Sequence, residues 1–509
     1  MKHIHINRWT ELFSEQMNVR LEKRQRLEES GSNPYKNGLK PNTTFEFLTK
    51  EYGDKAKDEI GDTPVYAVAG RVMMVRDFGK AAFLQCDDGA SRFQLYVNKQ
   101  TTTEKGFAEY KLLDFGDIVY ATGKIFKTMK GELALNVEEF TIVTKALRPL
   151  PEKFHGLTDA ELRYRMRYVD MIMNPDARDK LRKRSEIIRY IRQYFYSNDF
   201  LEVETPMMHS VAGGAAAKPF KTHHNALNME LFMRIAPELH LKRLIVGGYN
   251  KVFEMNRCFR NEGLSLKHNP EFTSIEFYWA WATFEDLMDF TEELIVGIAK
   301  NVLKTEIVRF GEHDINLRGP YARLTMREAV AKYTGSSMDQ VNDRNHLLGL
   351  LKNTDLDQKK IQSSTWGKLL VNCFEELVEA KLIQPTFITE YPTEVSPLSR
   401  RNDANPDFVD RFEFFMNGWE VGNAFSELNN PTDQLERFAE QAMAKAGGDE
   451  EATDVDYDFV RALEYGMPPT AGQGIGIDRL VMILTDSPTI REVILFPLLK
   501  KEQFFTEEE

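Results

Sequence analysis

Cysteine is scarce: three in 509 residues, at Cys86, Cys258 and Cys373, too widely spaced for a disulfide framework or a CxxC metal pattern. Reduced thiols and a cytoplasmic setting are the expectation. Long apolar runs are also missing, and none approaches the ~18 residues that cross a bilayer. The opening residues, Met1 to Thr10, lack the apolar core of a signal peptide, and Glu11 and Glu15 follow too soon for a typical transit peptide. No membrane partner is expected. The chain carries a net charge of −12, which argues against a non-specific nucleic-acid binder, since such binding rests on phosphate neutralisation. Residues 1–150 hold 23 basic and 21 acidic side chains, a balance of +2, so the rest carries −14. An RNA footprint is therefore expected in the N-terminal part or along Lys180 to Arg192. Also absent are the GK[ST] of a P-loop and the GxGxxG of a dinucleotide fold.

What is present is ordinary globular composition, 42% hydrophobic and 28% charged, in a chain long enough for two or three domains. A polar helix around Leu21 to Glu29 ends at Gly31-Ser-Asn-Pro34; a solvated charged face is its plain reading, and an RNA-backbone contact the alternative. From Val65 to about Lys145 the pattern turns to five short strands separated by Asp-Gly, Lys-Gly and Phe-Gly turns, which suits a small closed barrel of the OB type. Such barrels stack single-stranded bases on exposed aromatics, and Phe83, Phe93 and Tyr96 are candidates, with Arg76 and Gln94 near them. Leu147-Arg-Pro-Leu-Pro is a proline-punctuated connection. After it, Leu181, Ile188, Ile191 and Phe195 share one helical face, leading into Phe200 to Pro206. Val211 to Ala217 offers no packing volume and reads as a loop where backbone approaches a ligand.

Lys251 to Trp279 is the stretch around which the rest is organised. It reads as a hairpin whose loop, Asn261 to Pro270, carries the turn signals. On a two-residue period Glu254, Asn256, Arg260 and Glu262 fall on one face, and Phe253, Met255 and Phe259 on the other. The second strand repeats this, with Phe272, Ser274, Glu276 and Tyr278 opposite Ile275, Phe277 and Trp279. Such a polar face, crowned by Lys267 and His268, suits an anion, a cation and a flat ring together. Arg411 to Leu428 is another hairpin, turned at Asn417-Gly418. Ala471 to Leu484 reads as a glycine-rich strand running into a helix, with Asp478 as N-cap.

Phe259-Arg260-Asn261-Glu262 with Lys267-His268-Asn269-Pro270-Glu271-Phe272 resembles the second signature motif of class II aminoacyl-tRNA synthetases, and within that class the chain is similar to lysyl-tRNA synthetases of the bacterial type. The resemblance runs from about residue 60 to the end. The helix, strand and proline ending at Pro206 look like the first motif, which builds a homodimer interface in the family, and the glycine strand with Arg479 matches the third. The resemblance implies an α+β multidomain chain: a helical lead over 1–62, an OB-fold anticodon-binding β-barrel over 63–147, a linker over 148–178, and a catalytic domain of antiparallel sheet flanked by helices over 179–509.

The implied activity is attachment of lysine to lysine tRNA through a lysyl-adenylate, with ATP as substrate and about three Mg2+ ions, held as magnesium usually is by oxygens. Activation needs no general base, because the α-carboxylate is already ionised; it needs alignment and charge neutralisation. By resemblance Arg260 clamps the α-phosphate and carboxylate, and Arg479 holds the γ-phosphate end and covers the adenine, with Phe272 on the ring's other face. Glu262, Lys267, His268 and Asn269 match nucleotide contacts. Position 267 departs from the family's usual Arg, keeping the charge and losing the fork; His268 reads equally as a satisfied loop histidine. Glu238, by itself a helix first-turn acid, matches the position that meets the substrate α-amino group. Gly214, Glu276, Tyr278, Asn423, Phe425 and Glu427 complete the implied lysine site, and a buried ammonium demands such anionic partners. Gln94, Glu132, Arg76 and Phe83 match the anticodon-reading positions.

Glu413 and Glu420 are assigned to magnesium by the same resemblance; two solvated acids are the plain alternative. A two-residue turn at Asn417-Gly418 pairs Phe415 with Glu420 and Glu413 with Gly422, putting both acids on one face. Strict alternation beyond Glu420 would turn Asn423, Phe425 and Glu427 away, so a bulge near Gly422-Asn423 is predicted. Three rivals are set aside on residues. An aspartate or asparagine enzyme would need a cationic or amide-reading pocket, at odds with Glu276 and Glu427. Relatives that attach lysine to a protein lack the N-terminal barrel. A pure RNA-binding module leaves the hairpin face unexplained.

Overall fold

The computed structural model describes residues 14–151, 159–211, 213–214, 217–446 and 454–500. Residues 1–13, residues 152–158 just after the proline-punctuated connection, and Ala212, Ala215 and Ala216 of the small-residue loop lie outside that set. The chain divides into two compact units, Met1–Leu157 and Thr158–Glu509.

In the first unit the polar helix forms over Glu15–Glu29, capped by the Ser14 hydroxyl. Five strands, Tyr66–Asp77, Ala81–Asp87, Arg92–Asn98, Ile118–Lys127 and Leu133–Thr144, close into a barrel in which the third lies beside the fifth. Alternation decides the inside: Leu84, Cys86, Phe93, Leu95, Val119, Ala121 and Leu135 are buried. Phe93 is therefore core rather than a stacking platform, packed on Phe45 at 5.5 Å, and the sequence candidate is corrected there.

In the second unit, residues expected to be linker instead form helices Ala160–Arg165 and Arg167–Met173. Arg167 and Asp170, polar in sequence, are buried as a pair at 2.9 Å, and Arg167 Nε donates to the Leu495 carbonyl. The main sheet has eight strands in the order Ala322–Thr325, Thr386–Pro392, Phe408–Met416, Trp419–Ser426, Thr470–Gly476, Glu271–Ala280, Lys251–Phe259 and Leu201–Glu202. Only the two edge pairings are parallel. Helices Pro175–Ser197 and Phe284–Ile298 cover one face, where Ile187, Ile191 and Phe195 meet Phe253, Phe277, Leu287 and Leu294. That leaves the other face of the central strands for the polar residues.

The second hairpin turns at Asn417-Gly418, both at positive φ as a tight two-residue turn requires. Phe415 pairs with Glu420 as expected, but the register then slips: Phe414 faces Gly422, and Glu413 faces Asn423 rather than Gly422. The bulge thus falls at Val421, just before the predicted place. Its consequence is the predicted one, since one extra residue restores Asn423 and Phe425 to the face that holds Glu413.

Candidate active site

The two hairpins and the glycine strand lie side by side, so their polar faces form one floor. Glu254 is opposite Glu276, Asn256 opposite Ser274, and Cys258 opposite Phe272. Across the next seam Glu276 meets Gly474 and Tyr278 meets Gly472, and Gly474 in turn meets Asn423. The glycines let large side chains from both flanking strands converge over them; at Gly472 a Cβ would overlap the Tyr278 ring and the Glu427 carboxylate. A cleft of about 230 Å3 opens above this floor. Its lining brings together Gly214, Glu238, Glu276, Tyr278, Asn423 and Phe425 at one end and Arg260, Glu262, Lys267, His268, Asn269, Phe272, Glu420 and Arg479 at the other.

Arg260 begins the loop after the first strand, its N–H bonded to the Pro270 carbonyl at 3.0 Å. Its guanidinium lies 5.3 Å over the Phe272 ring, and its Nε is buried with no acceptor. An unsatisfied cationic donor aimed into a cleft is the feature an anionic ligand would satisfy. Arg479 behaves differently: Nη1 donates to the Glu420 carbonyl at 2.8 Å, and Nη2 lies 2.9 Å from His268 Nε2. His268 also meets Ser265 Oγ at 2.8 Å through Nδ1, so both ring nitrogens are satisfied. Burial, with Arg479 beside it, holds His268 below its ordinary value, which leaves a neutral ring accepting from Arg479. Lys267 sits 4.7 Å over the Trp419 ring, and Asn269 donates to the Glu271 carbonyl at 2.6 Å. Asp478 is not the N-cap; Gly476 is. The Asp478 carboxylate is buried, accepting from Thr273 N–H at 2.7 Å and pairing with Arg184, so it ties the glycine strand's helix to the first hairpin.

Of the acids on the first hairpin, Glu254 is spoken for, paired in the core with Arg234 at 2.6 Å and accepting from the Thr205 hydroxyl at 2.6 Å. Glu276 is not. It is buried, its nearest donor is the Tyr278 hydroxyl at 3.5 Å, and burial with Glu238 nearby pushes its carboxyl up to about 8. At neutral pH such a group keeps its proton until a cation arrives. Glu427 is buried and is not among the residues that line the cleft; its carboxylate lies over Gly472, on the same side as the Tyr278 ring. Sequence reasoning missed its partner. Lys242, fully buried, bonds Glu238 at 2.6 Å and pairs with Glu427. The available signal was its position four residues after Glu238, one turn along the same helix face.

Glu413 lines an adjoining cavity rather than the first, and Glu420, Lys267, His268 and Arg479 line both. Burial, opposed by Arg411 and reinforced by Glu420, pushes the Glu413 carboxyl up to about 7. Two half-buried carboxylates, one of them raised by the other's charge, fit a hard cation that takes its remaining oxygens from phosphate. Among the described residues no group of three or more His, Cys, Asp or Glu is arranged to hold a metal by itself.

In the barrel unit, register aligns Arg76, Phe83, Tyr96, Asn136 and Lys124 in a row across the strands. Phe83 is half-buried, 4.7 Å from Tyr96, with exposed Phe78 edge-on at 6.3 Å and Phe126 beside Tyr96. Gln94 faces Ala134, two residues on from exposed Glu132. Phe78 and Phe126 were not singled out in the sequence; their outward parity becomes visible only with the register.

The chain matches the family model described as tRNA synthetases class II (D, K and N) over residues 159–500, and an OB-fold nucleic acid binding domain over 66–143. It is 54% identical to a protein of Aromatoleum aromaticum named "Lysine--tRNA ligase", covering 89% of this chain and 91% of that one. A protein of the same name from Dichelobacter nodosus is 51% identical over 95% of this chain and 97% of its own length. Another, from Pseudomonas fluorescens, is 51% identical over 93% and 94%.

Proposed function

The chain belongs to the lysine--tRNA ligase family of class II tRNA synthetases, and from that premise we propose how its residues divide the work. The reaction is the ATP-dependent attachment of lysine to tRNA. The observation that carries the residue assignment is the single cleft with carboxylates at one end and an unsatisfied arginine at the other. Lysine lies with its α-amino group toward Glu238 and Gly214, its carboxylate toward Arg260, and its ε-ammonium toward Glu276, Tyr278 and Glu427. Asn423 and Phe425 line its stem. ATP lies along the other end, its adenine between Phe272 and Arg479, with Glu262, Lys267, His268 and Asn269 around it. The lysine carboxylate is then in line with the α-phosphorus, and Arg260 neutralises charge as the pyrophosphate leaves. For the γ-phosphate, Arg479 must give up one of its contacts to Glu420 and His268. The test is amino-acid-dependent ATP-pyrophosphate exchange over all twenty amino acids: lysine alone should drive it, and exchange driven by aspartate or asparagine with lysine silent would overturn the assignment.

Glu413 and Glu420 are the residues that would hold magnesium, which when bound neutralises and orients the nucleotide phosphates. Glu420→Gln is expected to raise the magnesium concentration needed for half-maximal exchange by about tenfold, since one charged oxygen ligand is lost. An unchanged magnesium dependence returns both acids to plain surface roles.

The barrel reads the anticodon through Phe83 with Arg76, Gln94 and Glu132. Stacking contributes roughly 1–3 kcal/mol per base. Phe83→Ala should therefore weaken tRNA charging about tenfold or more in KM for tRNA while sparing exchange. A parallel loss of both activities would make Phe83 a packing residue.

Two further parts of the reading are assembly and setting. The chain forms a homodimer through the segment ending at Pro206, so light scattering should give twice 58.8 kDa, and a monomer mass removes this part. Its compartment is the cytoplasm, which keeps the three buried free thiols reduced. Among the described residues no helix is long and apolar enough to cross a membrane. Recovery of the enzyme outside the cytosolic fraction would contradict the assignment.

A further inference from the structure

Lys242 is buried to the last atom, which for an ammonium is costly without partners. It has two, and both belong to the candidate lysine site: Glu238 on its own helix and Glu427 on the chain that leaves the second hairpin. The rest of its surroundings is apolar and aromatic, with Phe425 at 5.5 Å and Phe459 at 5.7 Å. Burial pulls the ammonium down, but Glu238 and Glu427 outweigh it and the net direction is upward, so Lys242 stays charged. Other ion pairs of this unit reach the same surface, such as Arg234 with Glu254 and Arg479 with Glu420, but neither joins two acids of the candidate lysine site. Lys242 instead joins Glu238, which lines the cleft, to Glu427, whose buried carboxylate lies over Gly472 beside Tyr278.

We propose that Lys242 is a specificity-determining and positioning residue: its ammonium spans the α-amino and ε-amino ends of the lysine site and sets that site's charge to accept a diammonium substrate. This rests on the reading of Glu238, Glu276 and Glu427 given above. Three carboxylates around one pocket would carry −3, more than a buried site sustains. Lys242 brings the pocket to −2, and lysine supplies two ammonium groups. With the substrate carboxylate met by Arg260, the two ammonium groups and the pocket then balance without a proton left on any acid. An amino acid with a neutral side chain of equal length leaves one buried carboxylate unpaired, so the built-in cation makes rejection of such analogues electrostatic as well as steric.

The charged and titratable groups facing Glu427 are Lys242 and Glu238 from the helix and Glu276 and Tyr278 from the hairpin. Helix Tyr457–Glu464 adds the uncharged Phe459 beside Lys242. Lys242 is the only cation in this set. Without it, burial and the two neighbouring acids leave Glu427 protonated over a wider pH range, and the substrate ammonium meets a neutral carboxyl.

Lys242→Met keeps the stem and removes the charge. The expected result is a KM for lysine raised by about tenfold or more at neutral pH, with the KM for ATP within about twofold. The acid limb of kcat/KM for lysine should move about one pH unit upward, so that part of the loss is recovered in mildly alkaline buffer. A residue serving only to fill space would not shift that limb. Lys242→Gln, which keeps hydrogen bonding to Glu238, is the second variant. It should show the same pH shift with a smaller KM change, and it carries the test if Lys242→Met does not fold. An unmoved acid limb, or an equal rise in KM for both substrates, overturns the proposal. Wild-type enzyme that gives no lysine-dependent exchange would instead overturn the reading beneath it.

Discussion

Replacing Arg260 with alanine is expected to abolish lysine-dependent exchange while the fold survives. The structural contribution of the residue is its backbone, which bonds the Pro270 carbonyl and which alanine retains. The side chain lies over the face of Phe272, and its buried Nε has no protein acceptor. The guanidinium as a whole is partly buried in the wall of the cleft. It is ready for the charge that develops between carboxylate and phosphorus, without reorganisation. Removing one such donor typically costs about 10²–10³ in rate, and the loss here should be at least that because a full charge goes with it. The check is exchange rate beside the thermal midpoint. A folded variant exchanging near the wild-type rate would remove Arg260 from its role, whereas a large fall in the midpoint would point to packing.

Gly472→Ala should produce the second large effect, confined to the amino acid. Tyr278 and Gly472 face each other across the seam between hairpin and glycine strand. A methyl at 472 would overlap both the Tyr278 ring and the Glu427 carboxylate. Neither can withdraw easily: Tyr278 is buried, and Glu427 is anchored to Lys242. Overpacking of this kind costs roughly 1–3 kcal/mol in stability. Displacing Tyr278 and Glu427 should raise the KM for lysine by about 10²-fold, since each tenfold step is only ~1.4 kcal/mol. The ATP end lies beyond Gly476, beside Arg479, and should be little affected. Titration of both substrates against exchange decides it; a lysine KM within a factor of two of wild type would mean that the floor yields, and that Glu427 is not positioned through Gly472.

The two hairpins show how far local pattern reaches. Alternation put Glu254, Asn256, Ser274 and Glu276 on one face, because a strand's period of two is local and the loop signals mark its ends. Asn417-Gly418 announced a tight turn for the same reason. The failures have one character. Phe93 was offered as a platform because parity within a strand does not say which parity points inward; closure of the barrel decides that. Asp478 was given to its own helix as a cap, but its carboxylate serves Thr273 and Arg184, each more than 200 residues away in sequence. The slip expected near Gly422-Asn423 is present, with Val421 as the extra residue.

The sequence alone determined the division into barrel and synthetase unit, the family, and most of the charged side chains that line the cleft, because motifs and periodicity are properties of short stretches. The tertiary structure alone decided which of those charges are free to meet a ligand. Glu254 and Glu276 are equivalent in pattern and opposite each other in the hairpin, but Arg234 neutralises one and nothing neutralises the other. Arg260 keeps an unsatisfied donor while Arg479 is bonded to His268 and Glu420. Lys242 joins Glu238, four residues before it, to Glu427, which lies 185 residues after it. Partners distant in sequence are brought together only by packing, and once buried in low dielectric they decide which group keeps its charge.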